Sequence, residues 1–125
     1  AMAAVLARAL GIPLGRGVLA TNANRVLPDY FAGGDYAPAA SVATIANAMD
    51  VGAPSNFERL RHWFADDAAL RAALRAESVD DATIRTTIAA APERHGVVAC
   101  PHTAFSQALS PWPRPETAMP LPMSM

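Results

Sequence analysis

Two short apolar runs limit what this chain can fold into. Val18-Leu-Ala-Thr21 is followed by Asn22, and Val97-Val-Ala-Cys100 is bounded by Gly96 and Pro101. Runs this brief read as buried parallel strands rather than helices. A helical stripe follows the first run: Val26, Leu27, Tyr30 and Phe31 share a face by three- and four-residue spacing, and Gly33-Gly34 ends it. Strand, loop, helix is half of a βαβ unit. The expected fold class is therefore α/β, with short parallel strands and helices packed around them.

The remaining elements follow from punctuation. Residues 2–10 have a helical pattern, Gly11 stands where a helix end favours a left-handed residue, and Pro13 forbids continuation. Asn22 or Asn24 is expected to cap the helix after the first strand. Ser41 to Ala46 reads as a second short run, and Ala48 to Val51 as a strand end made of weak strand formers. Ser55 or Asn56 caps a helix that carries Phe57, Leu60, Trp63 and Phe64 on one core stripe. Asp66-Asp67 opens another helix with Leu70, Ala73 and Leu74 inward, its acids suiting the helix dipole. Asp80-Asp81 opens a third, with Ile84, Ile88 and Ala89 inward, ending near Gly96. His102 to Leu109 begins the last helix. Beyond it, five of the eleven prolines fall at 111, 113, 115, 120 and 122. Such a run suits neither helix nor central strand. Residues 1–109 are thus expected to form one α/β unit, and 110–125 a weakly ordered tail.

Composition excludes several functions. The chain is 52% apolar, much of it alanine, and 17% charged; that balance suits a segment partly covered by another domain. Net charge is −1 with acids and arginines mixed, so no basic stripe tracks a phosphate backbone and a nucleic-acid partner is not expected. Ala1 to Leu10 is too short to span a membrane and has no basic leader, so no membrane partner is expected either. The single cysteine, Cys100, fits a reducing, cytoplasmic setting, and at a strand end it reads as inert core. Cys100 and His102 are two apart without a second pair at zinc spacing, and His62 and His95 have no ligand neighbours, so no metal is expected. There is no Gly-x-Ser-x-Gly elbow. Gly11, Gly15 and Gly17 read as a turn, because the strand–glycine loop–helix order is missing. All ten basic residues are arginine; the chain has no lysine.

Three blocks carry a resemblance: Ala20-Thr-Asn-Ala-Asn-Arg-Val-Leu27; Ser41 through Leu60 with its Asn-Ala-Met-Asp-Val-Gly core; and Val98-Ala-Cys-Pro-His-Thr-Ala104. In this order and spacing, residues 1–109 resemble part of threonine synthase, a fold type II pyridoxal-phosphate enzyme. Phe31-Ala-Gly-Gly-Asp-Tyr36 resembles the family's link between the first two blocks. The resemblance implies an enzyme that converts O-phospho-L-homoserine and water to L-threonine and phosphate by β,γ-elimination and replacement. It also implies pyridoxal 5'-phosphate as cofactor, and as partner an N-terminal part of the enzyme bearing the lysine that holds it.

Of the family's site residues, the resemblance leaves one in this chain. Thr103, in Pro-His-Thr-Ala, is expected to hydrogen-bond the pyridine nitrogen of the cofactor. A neutral hydroxyl cannot supply the full charge that a carboxylate would give a protonated ring. The alternative is that Thr103 caps the helix it begins. His102, Asn22, Asn24 and Asp50 carry no assigned role, and no catalytic residue is expected within these residues. After Leu109 the family continues into a further strand, whereas this chain reads Ser110-Pro-Trp-Pro-Arg-Pro. Without lysine the segment is expected to be inactive alone. Two other functions remain open: another fold type II pyridoxal-phosphate lyase, or a small helical interaction domain with a Pro-rich tail.

Overall fold

A lone strand cannot satisfy its own backbone groups, and β1 (Gly17–Thr21) finds its partner in a segment whose composition disguises it. The computed structural model describes residues 1–109; the expectation of a tail over 110–125 lies outside them. β1 pairs in parallel with β2 (Leu74–Ser78), in register from Gly17 opposite Leu74 to Thr21 opposite Ser78. The sequence pattern instead assigns Leu74 to a helix interior. Leu, Ala, Arg and Glu favour helices, and pairing overrides that weak preference.

Six helices surround this two-stranded sheet among the described residues: α1 (Met2–Ala9), α2 (Val26–Phe31), α3 (Phe57–Trp63), α4 (Asp67–Ala73), α5 (Asp81–His95) and α6 (Pro101–Leu109). The fold is α/β, as expected. Adjacent strand residues point to opposite faces, and they divide the core in two. On one face Leu19 packs with Val5, Tyr30, Phe57, Leu60, Leu70 and Leu74. On the other, Ala20 packs with Ala46, Val79, Ile84, Ala91, Ala104 and Phe105. The aromatic side is tightened by edge-on rings, with Tyr30 and Phe57 4.8 Å apart between centroids.

α4 runs into β2 with no intervening turn, which strands its last carbonyl groups. Arginines from elsewhere in the chain satisfy them. Arg8 Nη1 donates to the Ala73 carbonyl at 3.1 Å, and Arg16 Nη2 donates to those of Arg71 and Leu74 at 2.7 and 3.2 Å. Arg71 in turn lies over the Tyr30 ring, 4.4 Å from its centroid.

The helix signals at both ends of α5 hold. Asp80 accepts from the Thr83 amide at 2.7 Å, and Gly96 ends the helix with φ 68°. Asp66 caps α4 in the same way through Ala69. Gly11, at φ 84°, takes the left-handed conformation after α1.

Several expectations fail. Val97 to Cys100 is not a strand: Val98 is 86% exposed, and no neighbour among the described residues pairs with it. Ser41 to Ala46 is loop, and Asn47–Met49 is a 3-10 turn rather than a strand end; polar side chains, not a ladder, satisfy that backbone. Asn56 precedes α3 but makes no side-chain cap bond. Phe57 and Leu60 are core, with Phe64 packed against them. Trp63 is 48% exposed because α3 ends there and leaves the ring on the rim.

Candidate functional site: the loops at the carboxyl end of the sheet

Ligands of open α/β sheets bind beyond the carboxyl ends of the strands, and here that end is built around Asn22. Asn22 follows β1 directly and is 0% exposed. A fully buried amide needs partners on both its atoms. Its Nδ2 donates to Thr44 Oγ1 at 2.9 Å, to the Ala46 carbonyl at 3.2 Å and to Asp50 Oδ1 at 2.8 Å. Its Oδ1 accepts from the backbone amide and Nδ2 of Asn24, at 3.0 and 2.8 Å. Ser78 Oγ, at the end of β2, donates to the Asn22 carbonyl at 2.7 Å. The knot therefore straps both strand ends to residues 42–50.

Asp50 is the anion of this knot. Besides Asn22 it accepts from Thr44 Oγ1 at 2.7 Å, the Thr44 amide at 3.0 Å and Asn24 Nδ2 at 3.3 Å. The Thr44 hydroxyl above all, with the Thr44 amide and the two asparagines, holds its carboxyl below the ordinary value. Asn24 also brackets Val42, donating to its carbonyl and accepting from its amide at 2.9 and 2.7 Å. The expectation that Asn22 or Asn24 caps α2 is thus corrected. Arg25 stands at that helix start without a side-chain bond, because both asparagines are committed to the loop. Gly52 closes the loop: it lies so near Ala39 that a Cβ would overlap the Ala39 carbonyl oxygen.

The second group of residues opens α6. Cys100 precedes the helix and its carbonyl accepts from the amides of Thr103 and Ala104 at 3.1 and 2.9 Å. Its Sγ is 3.3 Å from Thr103 Oγ1. Thr103 is therefore the third residue of α6, not its cap, and its side chain is exposed. Cys100 is exposed as well, not the inert core expected of a strand end. The Thr103 hydroxyl, and then the amides at the helix start, hold its thiol below the ordinary value. Thr103 has one proton to give. Given to sulfur, it leaves only oxygen lone pairs for an outside group; if the thiol donates instead, the hydroxyl is free to donate outward.

One bond joins the two groups: the Ala48 amide donates to His102 Nε2 at 3.2 Å. Through it the loop strapped to β1 reaches the residue before Thr103. Among the described residues, no three of His, Cys, Asp and Glu gather to hold a metal, and no helix is long and apolar enough to cross a membrane.

Comparison with known proteins shows what this arrangement is similar to. Threonine synthase of Serratia marcescens is 36% identical over 104 residues, covering 83% of this chain and 24% of its own length. The same enzyme from Escherichia coli strain K12 gives the same identity and coverage. The crystal structure of threonine synthase from Escherichia coli superposes with a TM-score of 0.76 at 36% identity, over 86% of this chain and 25% of that one. This chain is homologous to part of threonine synthase. It spans about a quarter of the length of the threonine synthases it matches. No family model matches it.

Threonine synthase resemblance was legible from the three sequence blocks, and all three supply residues of the site described above. The asparagine–aspartate knot was not. Its only signal is a pair of asparagines two apart after a strand, with an aspartate at the end of a later apolar run. That pattern reads equally well as helix capping.

Proposed function

We propose that residues 1–109 are a partial pyridoxal-phosphate-binding α/β domain of threonine synthase type, and that Thr103 meets the pyridine nitrogen of the cofactor. The whole enzyme would convert O-phospho-L-homoserine and water to L-threonine and phosphate in the cytoplasm. A further part of the enzyme, bearing the cofactor-anchoring lysine, is the partner. One observation carries this reading: an exposed hydroxyl at the start of α6 directly follows His102, the residue that the loop strapped to the carboxyl end of β1 binds.

The residues present fit one wall of such a site. A hydroxyl beside a thiol can donate to an unprotonated ring nitrogen, and none of residues 96–109 is a carboxylate that would hold that ring protonated. With no lysine in the chain, the covalent hold on the aldehyde must come from elsewhere. When bound, pyridoxal phosphate acts as an electron sink for the substrate carbons. This chain's own part is to orient the ring edge through Thr103 and to keep the underlying backbone rigid through the knot.

The test pairs this chain with a lysine-bearing remainder of a threonine synthase and follows the absorbance of bound pyridoxal phosphate. Thr103→Val should shift the absorbance maximum and weaken cofactor retention, whereas Thr103→Ser should behave as wild type. Identical spectra for all three would rule out the ring contact.

A further inference from the structure

We infer that Asp50 and His102 are positioning residues for the Thr103 hydroxyl, acting through the Ala46–Asp50 turn. This rests on the reading of Thr103 given above and names what fixes its place. Asp50 does not touch α6. It anchors the turn by accepting from Asn22, Asn24 and Thr44. The same turn is anchored again where Asn22 grips the Ala46 carbonyl, and Met49 and Asp50 close on it through Ala46 and Asn47. Between those anchors, the Ala48 amide has one partner among the described residues, the Nε2 atom of His102. An amide that donates to Nε2 requires that nitrogen to carry a lone pair, which puts the ring proton on Nδ1. His102 is followed directly by Thr103, whose amide is already tied back to Cys100. The helix start is therefore held from two sides, by the Cys100 carbonyl within its own turn and by the Ala48 amide from the sheet end.

Packing alone does not account for this. Ala104 and Phe105 pack into the core beside Ala46, which fixes how far α6 stands from the loop. Apolar contact is non-directional, so it does not fix rotation about the helix axis. A directional bond one residue before Thr103 does, and a hydroxyl that must meet a ring nitrogen at hydrogen-bond length needs that angle.

The experiment uses the full chain with 15N-labelled histidine and amide exchange, each variant first checked for native circular dichroism. In wild type, His102 Nε2 should show the shift of an unprotonated acceptor and Ala48 should be protected. His102→Leu should speed Ala48 exchange by about fivefold to tenfold, the worth of one net hydrogen bond, and His102→Gln should restore protection through its amide oxygen. Asp50→Asn should speed it comparably and move the Nε2 shift, because an amide nitrogen now faces the Thr44 amide; it stands in if Asp50→Ala fails to fold. Unchanged Ala48 exchange in a folded Asp50→Asn protein would overturn the proposal. So would failure of glutamine to substitute for His102. In the assembled holoenzyme, Thr103→Val should change the cofactor spectrum while leaving Ala48 exchange untouched. If that spectrum does not change, the ring contact is wrong and the link from Asp50 to α6 stands. If the exchange does not respond to Asp50, the link is wrong whatever the cofactor does.

Discussion

Replacing Asn22 with alanine should be among the most damaging single changes in the chain, although it removes no apolar surface. Asn22 is fully buried; it is the partner of the Asn24 amide and a second donor to the Ala46 carbonyl, which the Met49 amide also meets. Truncation orphans the Asn24 amide and removes that second bond. An orphaned buried group costs about 1–3 kcal/mol and a lost hydrogen bond about 1 kcal/mol more, roughly 3 kcal/mol together. With a urea slope of about 2 kcal/mol per molar for a chain of this size, the midpoint should fall by roughly 1.5 M at unchanged slope. The isosteric Asn22→Asp separates hydrogen bonding from shape. It leaves no cavity, but it removes the donor to Thr44, Ala46 and Asp50 and sets a carboxylate against the Asp50 carboxylate. It should be at least as destabilising as alanine at neutral pH. Like charge raises the folded-state affinity of the pair for a proton, so the deficit relative to wild type should shrink as pH falls. A midpoint shift under about 0.5 M for Asn22→Ala, or an Asn22→Asp deficit that grows toward acid, would refute the idea that this knot holds the sheet end.

Gly52→Ala should collapse the 39–52 loop because its Cβ overlaps the Ala39 carbonyl oxygen; amide exchange at Thr44 and Ala48 should rise while α5 stays protected. Ile84→Ala should cost about 2–5 kcal/mol, since Ile84 is fully buried in the α5–α6 core; a fall in Tm of only a degree or two would contradict that packing. Asp50 and Asp80 both have carboxyls held below the ordinary value, Asp50 chiefly by the Thr44 hydroxyl and Asp80 by the Thr83 amide. The unfolded chain then binds protons first, so their stabilisation is complete above the ordinary carboxylate range and is lost as pH falls through their lowered values. Asp50→Asn should flatten that acid limb of a stability–pH curve.

How much could be read from the sequence varied with the physics involved. Local rules sufficed for β1, for the α2 stripe, and for α5 between Asp80 and Gly96, because a cap and a left-handed glycine act within a few residues. β2 was hidden because Leu-Arg-Ala-Glu-Ser is a helix-forming sequence, made a strand by its register against Gly17–Thr21. Val97 to Cys100 erred the other way: its residues suit a strand, but composition cannot supply a ladder partner. Trp63 has core spacing yet lies at a helix end, where one residue decides between core and rim. At the site, the proposal for Thr103 rests on the threonine synthase resemblance. Asn22, Asn24, Thr44 and Asp50 went unassembled because their bonds join residues up to 28 apart, and no periodicity encodes such a closure. Cys100 was misjudged for the related reason that its exposure depends on where α6 begins.

The most direct test of the central claim is phosphate release from O-phospho-L-homoserine, measured with this chain, a lysine-bearing threonine synthase remainder, and the purified complex of the two, each with pyridoxal phosphate. The account predicts release by the complex alone, and its loss when the remainder's anchoring lysine is replaced. Release by this lysine-free chain unaided, or equal release by the remainder whether or not the chain is bound, would contradict it.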